Sequence, residues 1–498
     1  MRRFLISLSI ALAAVTAPSV AFAADEPAKD ADSKDKIELP PMSPDKTVDQ
    51  TVTIGGRVIR YKATVGHIDV RDDKGKTIGQ VVFTAYTVPG PPTARPVTFA
   101  FNGGPGAASV FLNMGAIGPK RVGFGVQGDS PSDSAVLRDN PASWLDFTDL
   151  VFVDPIGTGF SRSLVDADAT KKAFYGAKPD IEYLSRVVYD WLTENGRMTS
   201  RKYLVGESYG GFRVPRLAYN LQSQMGVGVS GLVMVSPYLD PAATGNETSL
   251  SPLPWVINLP SMTAGNYERQ GRPLNSATMA DVENYVRTDF VTDFLKGTSD
   301  RAATDRLSAR VAAFTGIDPV LVRRLDGRLD IATYLREIRR NTGQIGSVYD
   351  SNVTAYDPFP ASADANYNDP LLDGIIAPTT SAEVDFITRQ VGWKADWHYE
   401  TLSFAVNKAW ENDNTDSPVT DLRKAIANDP RMAVMIAHGW DDLSCPYFGS
   451  KLIVDQMPSY GQAERVKLHI YPGGHMFYAR PDSAMAFKRD AMATYGLR

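Results

Sequence analysis

The sequence predicts an α/β protein whose central sheet is mostly parallel and has helices on both faces. Short apolar runs that end in Gly- or Asp-rich loops recur after residue 96, and helical stretches lie between some of them. Strands that alternate with helices form parallel sheets, and strands buried on both faces are apolar throughout. The composition agrees, because 43% of the 498 residues are hydrophobic and 22% are charged, as in ordinary globular proteins.

The predicted strands of this sheet are short runs of apolar residues. They are residues 97–101, 150–153, 203–205, 232–235, 432–437 and 466–471. Upstream, alternating stretches between residues 51 and 87 predict antiparallel strands, with a turn at residues 72–75. Helical patterns at residues 181–192 and 483–495 predict two of the helices that cover the sheet.

The chain divides into five predicted segments. Residues 1–23 form a secretory leader pattern, with a basic start, an apolar middle and small residues at positions 21 and 23. Residues 24–50 are polar and rich in Pro, Asp and Lys, which predicts a mobile linker. Residues 51–240 and 408–498 are predicted to form the two parts of the sheet domain. Between them, residues 241–407 lack strand-like runs, so we expect an inserted helical cap.

Within that predicted cap, helical patterns occur at residues 279–294, 303–315 and 331–340. They are amphipathic, which is typical of helices that pack one face on a core. The sheet pattern resumes at residue 432.

Composition limits the partners and cofactors that we expect. The formal net charge is −5 and long basic runs are absent, which argues against a nucleic-acid partner. Apart from the leader, no segment is long and apolar enough to suggest a membrane span. Cys445 is the single cysteine, and H-E-x-x-H is absent, so we expect no disulfide, metal or cofactor. A leader without disulfides fits a secreted or periplasmic bacterial protein, and the oligomeric state stays open.

The most informative motif is Gly-Glu-Ser-Tyr-Gly at residues 206–210, directly after a predicted strand. It has the form of a sharp strand-to-helix turn that exposes a serine hydroxyl at the edge of a sheet. Alone, such a pattern occurs by chance in roughly one chain in six of this length. Its weight comes from Asp442 and His475, each of which follows another predicted strand. The chain order Ser208, Asp442, His475 is that of α/β-hydrolases, which we therefore predict as the fold.

These three side chains predict acyl chemistry through a covalent intermediate. Ligands bind at the carboxyl ends of parallel strands, so we expect all three on one rim of the sheet. Ser208 would be the nucleophile, His475 the base and Asp442 the carboxylate that orients the base. Of the two adjacent aspartates we favour Asp442, and we interpret Asp441 as a loop or hydrogen-bonding residue. The other four histidines are interpreted as structural.

A second loop supports the same predicted site. The run Asn-Gly-Gly-Pro-Gly at residues 102–106 follows the strand at residues 97–101. A Gly-Gly loop there can aim a backbone N–H at a developing oxyanion, with the residue after the nucleophile as partner. The predicted donors are the N–H groups of Gly104 and Tyr209, each worth roughly 3 kcal/mol in the transition state. Cys445 is expected either at the wall of the pocket or as a small buried apolar residue.

Together these motifs resemble the serine carboxypeptidase family, including its bacterial members. The matching pieces are residues 102–106, 140–144, 154–161 and 206–211, then Asp442 with Cys445-Pro446, and residues 474–476. The resemblance extends from about residue 96 to the C-terminus, and residues 51–95 also look like bacterial members. It implies a secreted serine carboxypeptidase that acts on peptides with a free C-terminus and uses Ser208, Asp442 and His475 as its triad.

The resemblance also implies a site for the terminal carboxylate of the substrate. In the family this group is held by an asparagine, a loop glycine and two glutamates that share protons. Asn102, Gly103 and Glu207 fall on three of those positions, whereas Ala116 replaces the second glutamate and Ala100 replaces a tryptophan of eukaryotic members. The predicted carboxylate clamp is therefore partial. We further expect Glu207 to be protonated, because burial and like charge raise a carboxyl pKa.

Two other functions fit the same motifs. An esterase or acyl transferase would use the same triad and differ only in its leaving group and acceptor. A binding protein with an inactive site is the last alternative, and the complete triad counts against it.

Overall fold

The central element of the structure, a computed structural model, is a mixed ten-stranded sheet. The structure describes residues 39–122, 132, 134–240, 250–362, 368–411, 417–461 and 465–497. The predicted leader and residues 24–38 of the predicted linker lie outside these residues. Residues 39–498 group into one compact unit.

The strands in the described residues are β1 (Lys46–Ile54), β2 (Arg57–Arg71), β3 (Thr77–Thr87), β4 (Val97–Phe101), β5 (Lys120–Arg121), β6 (Arg138–Asp139), β7 (Asp149–Val153), β8 (Arg162–Ser163), β9 (Lys202–Glu207), β10 (Gly231–Val235), β11 (Gln344–Gly346), β12 (Thr354–Tyr356), β13 (Ala433–Gly439) and β14 (Val466–Tyr471). The large sheet has the order β1-β2-β3-β7-β4-β9-β10-β13-β14, and β8 pairs with β3. Neighbours from β1 to β7 are antiparallel, and neighbours from β7 to β14 are parallel. Two small hairpins, β5 with β6 and β11 with β12, lie outside it.

The α-helices in the described residues are α1 (Ala167–Phe174), α2 (Ala177–Glu194), α3 (Tyr209–Gln224), α4 (Leu253–Arg269), α5 (Ser276–Arg287), α6 (Asp289–Leu295), α7 (Arg301–Thr315), α8 (Pro319–Arg324), α9 (Ile331–Glu337), α10 (Pro370–Asp385), α11 (Phe404–Ala409), α12 (Pro418–Asn428), α13 (Tyr447–Asp455) and α14 (Pro481–Thr494). Within the same described residues, two π-helices span Leu112–Ile117 and Phe386–Val391, and two 3₁₀ turns span Arg340–Thr342 and Phe477–Ala479. No helix in this part of the chain has the combined length and apolar character that a membrane crossing needs.

Both faces of the parallel part of the sheet are buried. Every residue of β4, β7 and β10 is buried, as expected for strands with helices above and below them. One face packs on α2, α3 and α12 through residues such as Val187, Leu217 and Leu422. The other face packs on α10, α14 and the first π-helix, with Phe487 as one contact. The predicted α/β fold is confirmed.

Helices inserted between β10 and β13 form a layer with its own apolar core. Residues from α4 to α9, such as Val256, Met279 and Leu307, cluster together and reach Trp440 and Tyr447 of the sheet domain. The structure is therefore an α/β-hydrolase fold with an inserted helical cap. Within the predicted cap, α10 and the second π-helix pack on the sheet instead, where their residues join its core cluster. The boundaries at residues 241 and 407 stay predictions.

Three local expectations were wrong. β1 begins at Lys46, inside the predicted linker, because its ladder with β2 is built from backbone groups while its polar side chains face solvent. The helix predicted at residues 279–294 is two helices, since the φ of −125° and ψ of −91° at Thr288 interrupt it. The predicted helix at residues 331–340 ends at Glu337 as α9, and the hairpin of β11 and β12 follows in a segment predicted to lack strands.

Candidate active site

Ser208 stands at the sharp turn between β9 and α3. It has a φ of 58° and a ψ of −121°, a strained backbone conformation for a residue with a side chain. The glycines around it are required by close packing: a Cβ on Gly206 would lie 2.0 Å from the carbonyl oxygen of Gly210. The turn predicted from Gly-x-Ser-x-Gly is therefore present at the carboxyl end of a central strand.

Asp442 and His475 meet at the same rim of the sheet, after β13 and β14. The Nδ1 atom of His475 is 2.8 Å from Oδ2 of Asp442, and both residues are buried. Oδ1 of Asp442 accepts the N–H groups of Ser444 and Cys445, each at 2.9 Å. Burial alone would lower the pKa of His475, but the neighbouring Asp442 carboxylate and other acids raise it above its ordinary value. The partner of His475 is thus Asp442 and not the adjacent Asp441.

Ser208 adjoins this pair through Cys445. Burial raises the pKa of the Cys445 thiol well above its usual range, and the neighbouring Ser208 hydroxyl pulls it down. Within the described residues no hydrogen bond joins Ser208 to His475. Catalytic hydrogen bonds in ligand-free enzymes are often long and tighten only when substrate binds. Proton transfer from Ser208 to His475 therefore stays a prediction.

Two residues that sequence reasoning missed hold the backbone of His475. The hydroxyl of Ser236 donates to the carbonyl oxygen of His475 at 2.8 Å, and the N–H of His475 donates to the carbonyl oxygen of Tyr349 at 2.5 Å. The Tyr349 ring also meets the imidazole edge to face, with ring centroids 5.2 Å apart. Ser236 directly follows a predicted strand, which was the one clue to its place on the rim, whereas Tyr349 gave no clue.

The loop after β4 passes directly beside the start of α3. A Cβ on Gly103 would lie 2.5 Å from the backbone nitrogen of Tyr209. Tyr209 is the first residue of α3, so its N–H has no acceptor within the helix. In the described part of the chain, the N–H groups of Gly104 and Tyr209 have no acceptor from the protein. The two groups are thus available as the predicted oxyanion donors.

A buried ion pair supports this loop from below. The guanidinium of Arg213 donates to the carbonyl oxygen of Asn102 at 2.8 Å and to Oδ2 of Asp180 at 2.7 Å. The side chains of Arg213 and Asp180 are each 1% exposed. The side-chain oxygen of Asn102 accepts the N–H of Leu112 at 2.9 Å. Asn102 is therefore fixed at both its backbone and its side chain.

Glu207 is buried at the end of β9 and lies against Asn102. Its Oε2 accepts the amide of Asn102 at 3.0 Å and the hydroxyl of Tyr478 at 2.8 Å. Burial raises the pKa of Glu207 to about 7, although His475, Tyr478 and Asn102 each pull it down. Two of the residues predicted to bind the substrate carboxylate are thus in contact, and Gly103 adjoins Asn102 in the chain. Tyr478 was not predicted from the sequence. Its hydroxyl donates a hydrogen bond to Glu207, which the methyl group of Ala116, at the position of the family's second glutamate, cannot do.

A cavity of about 350 Å³ adjoins Cys445. Its lining is mostly apolar and includes Leu239, Ile257, Val348, Leu443 and Ile453. Cys445 is buried, as one of the two expectations had it, and it lines this cavity, whose lining includes none of the three predicted triad residues. Among the described residues, one group of three carboxylates, Glu268, Asp350 and Asp441, is compact enough to hold a metal ion.

Comparison with known proteins finds a likeness to one family. The sequence model of the family described as serine carboxypeptidase matches residues 55–287. Serine carboxypeptidase-like 44 of Arabidopsis thaliana is 29% identical over 194 residues, which are 36% of this chain and 37% of that protein. Pheromone-processing carboxypeptidase KEX1 of Yarrowia lipolytica is 23% identical over 384 residues, which are 74% of this chain and 53% of that protein. The chain therefore spans about a third to a half of these curated relatives.

One solved structure shares the fold over most of both chains. It is that of KEX1(delta)p, a prohormone-processing carboxypeptidase from Saccharomyces cerevisiae, with a TM-score of 0.56 and 15% identity. The match covers 88% of this chain and 91% of that one. At this identity the likeness shows the fold alone.

Proposed function

Because the sequence model of the serine carboxypeptidase family matches residues 55–287, we propose that the chain belongs to this family and hydrolyses the last peptide bond of peptides with a free C-terminus. The observation that carries the proposal is the buried carboxyl of Glu207, bonded to Asn102 directly beside Ser208. An ionised glutamate there would repel a substrate carboxylate. A protonated one can donate a hydrogen bond to it, and the pKa of about 7 makes the protonated form the main one in acid solution.

The proposed reaction proceeds through an acyl-serine intermediate. The Ser208 oxygen attacks the carbonyl carbon as its proton passes to Nε2 of His475, and the resulting oxyanion faces the N–H groups of Gly104 and Tyr209. The C–N bond then breaks, and His475 gives the proton to the leaving amine. Water gives a proton to His475 as it attacks the acyl carbon, and His475 then passes that proton to the Ser208 oxygen as the bond between this oxygen and the acyl carbon breaks. Asp442 stabilises the imidazolium in both halves.

The protonation of Glu207 is coupled to that of His475. The Glu207 carboxylate is one of the charges that raise the pKa of His475, and protonated His475 lowers that of Glu207. A proton on Glu207 therefore favours the neutral imidazole that the mechanism needs. The proposed active form carries a proton on Glu207 and none on His475, and the two groups titrate as a pair.

Three matched substrates test the proposal: a blocked dipeptide with a free C-terminus, its C-terminal amide and a simple ester. We expect the free acid to be preferred below about pH 7 and to lose that preference above it, where Glu207 ionises. Ser208→Ala should lower kcat by at least ~10⁴-fold for each substrate that is cleaved.

Three results of this substrate comparison would each contradict a different part of the proposal. Cleavage that survives Ser208→Ala would remove Ser208 as the nucleophile. An amide cleaved as well as the acid at every pH would remove the carboxylate role of Glu207. Cleavage of the ester alone would support the esterase or acyl transferase alternative.

Export belongs to the same proposal. Its support is the leader pattern at residues 1–23 and the single cysteine. Cell fractionation with N-terminal sequencing tests it, and we expect an exported chain that begins at Ala24. An uncleaved chain in the cytoplasmic fraction would contradict it.

A further inference from the structure

Four ionisable side chains meet near the loops of the candidate active site, and we refer to them as the Arg480 cluster: Glu268, Asp350, Asp441 and Arg480. We propose that this cluster positions the loops that carry Asp442 and His475, and that a proton on Asp441, rather than a metal ion, holds the three carboxyl groups together. The inference rests on the proposed function only for the identity of the two loops it positions.

The guanidinium of Arg480 ties together segments that are distant in the chain. It donates to Oδ2 of Asp350 at 3.1 Å, and it forms a bidentate ion pair with the carboxylate of Glu268 on α4. The amide of Asn352 donates to Oε2 of Glu268 at 2.6 Å and to Oδ2 of Asp441 at 3.2 Å. The cap helix α4, the loop after β11 and the turn after β13 are thus joined at one point.

The cluster is bonded directly to the loops of the candidate triad. Oδ2 of Asp350 accepts the N–H of Gly474, the residue before His475, at 3.2 Å. The N–H of Asp441 donates to the carbonyl oxygen of Gly473 at 3.2 Å. The loop that carries His475 is tightly packed, since a Cβ on Gly474 would lie 2.0 Å from the carbonyl oxygen of Tyr349. A displacement of Asp350 or Asp441 would therefore move both loops.

Asp441 is the member that needs a proton. It is fully buried, and its Oδ1 has no hydrogen-bond donor among the described residues. One oxygen from each of the three carboxylates lies within 4.8 Å of the others, a separation at which buried carboxylates do not all ionise. Glu268 and Asp350 have donors from Arg480, whereas Asp441 lies 4.0 Å from that guanidinium. A carboxyl proton on Asp441 supplies the missing donor.

The surrounding charges favour a proton over a metal ion. The titratable and charged groups around Asp441 are Glu268 and Arg269 of α4, Tyr334 of α9, Asp350, Arg480, and the adjacent Asp442 with His475. With Asp441 neutral, the two remaining carboxylates of the cluster are balanced by the guanidinium groups of Arg480 and Arg269. Burial, followed by the charges of Asp350 and Glu268, raises the pKa of Asp441 well above its usual range.

Loss of this proton has a consequence that differs from ionisation of Glu207. A third buried negative charge in the cluster would repel the other two and displace the loops of Asp442 and His475. The rate would then fall at alkaline pH for every substrate, including an ester that has no terminal carboxylate. Ionisation of Glu207, by contrast, would affect substrates with a free C-terminus.

The test is the pH profile of kcat for a simple ester in Asp441→Asn, which keeps the shape and donor of a protonated carboxyl but cannot ionise. We expect the alkaline limb of the profile to move upward by about one pH unit or more relative to the wild type. Asp281→Asn is the matched control, because Asp281 is exposed and pairs with Arg310 at the surface, and it should leave the limb in place. An unshifted limb in Asp441→Asn would overturn the proposal.

Two further measurements keep the proposal testable if the variant is unstable or the ester is not cleaved. Infrared difference spectra of the wild type should show a protonated carboxyl band at neutral pH that is weaker in Asp441→Asn, and an equal band in both would count against the proton. Thermal unfolding with Ca²⁺ or with EDTA should give the same midpoint. A midpoint that rises with Ca²⁺ in the wild type, but not in Asp441→Asn, would replace the proton with a cation.

Discussion

At the scale of single residues, the candidate site shows that partners decide what a side chain can do. Glu207 attracts attention because it precedes Ser208, but its pKa of about 7 comes from burial and is moderated by Tyr478 and Asn102. Tyr478 lies 271 positions from Glu207 in the chain. No local pattern links two such residues, so the sequence could indicate Glu207 as a candidate but not Tyr478, whose hydroxyl donates to it.

Tyr478→Phe should raise the pKa of Glu207, because the lost hydrogen bond stabilises the ionised carboxylate. A hydrogen bond to a charged group is worth about 1.5 kcal/mol or more, which corresponds to roughly one pKa unit. We expect the alkaline limb of kcat/KM for a peptide with a free C-terminus to move from near pH 7 to about one unit higher. The measurement is the pH profile for that peptide beside the profile for an ester, whose alkaline limb should not move.

Tyr495→Phe is the matched control for this change. The Tyr495 hydroxyl is buried and lies 2.7 Å from the hydroxyl of Thr98 on β4, so it loses a comparable hydrogen bond away from Glu207. Tyr495→Phe should leave the alkaline limb of kcat/KM for the peptide in place. In Glu207→Gln the limb should vanish for the peptide, and a limb that persists there would show that another group is responsible.

At the scale of elements, the turn between β9 and α3 depends on backbone approaches that allow no side chain. We predict that Gly206→Ala lowers the free energy of unfolding by about 2 kcal/mol and lowers kcat, because the new Cβ would overlap the carbonyl group of Gly210. Urea denaturation and kcat for the preferred substrate measure the two effects. Gly228→Ala is the control, since a Cβ there meets nothing within 4 Å. Equal behaviour of the two variants would mean that the turn tolerates a side chain.

Elements with a strong local pattern were predictable from the sequence. β4 matches its predicted range because a strand buried on both faces is apolar throughout. The start of β1 was assigned to the linker because Lys46 and Asp49 are exposed and only backbone bonding makes this part of the segment a strand. The break at Thr288 was missed because apolar periodicity continues across it, and only tertiary packing decides where one helix ends.

At the scale of the whole molecule, several buried ionisable groups among the described residues are carboxyls with raised pKa values. Burial raises the pKa of Asp154 and of Glu207 to about 7, and it raises the pKa of Glu383 well above its usual range. Such carboxyls contribute stability that is fully present below their unfolded pKa and is lost as the pH rises through the folded value. His438 has the opposite effect on the pH dependence of stability. Burial lowers its pKa to about 3, so its contribution to stability is lost as the pH falls below 6.5.

The acids outnumber this histidine, so we predict a higher unfolding midpoint at about pH 5 than at about pH 8. Calorimetry or circular dichroism at the two pH values measures the difference. Asp154→Asn should reduce the difference, because the amide cannot ionise and can still accept the N–H of Ser109 at Oδ1. A midpoint that rises towards alkaline pH would contradict the prediction.

The same scale shows why the loops of the predicted triad could be located from the sequence and the residues that support them could not. Ser208, Asp442 and His475 each follow an apolar strand, and that position alone places them on one rim. Ser236 and Tyr349 act through single contacts with the backbone of His475. Such contacts depend on how distant segments pack, which neither spacing nor composition encodes.

The segment at Val348 and Tyr349, which follows β11, supports the backbone of the loops after β13 and β14. The carbonyl oxygen of Tyr349 accepts the N–H of His475, and that of Val348 accepts the N–H of Leu443 at 3.0 Å. Val348 also lines the cavity beside Cys445. A chimaera that exchanged this region with a relative would alter the cavity wall and the orientation of the imidazole together. Changes in this one segment would therefore affect both the shape of the cavity and the position of the His475 side chain.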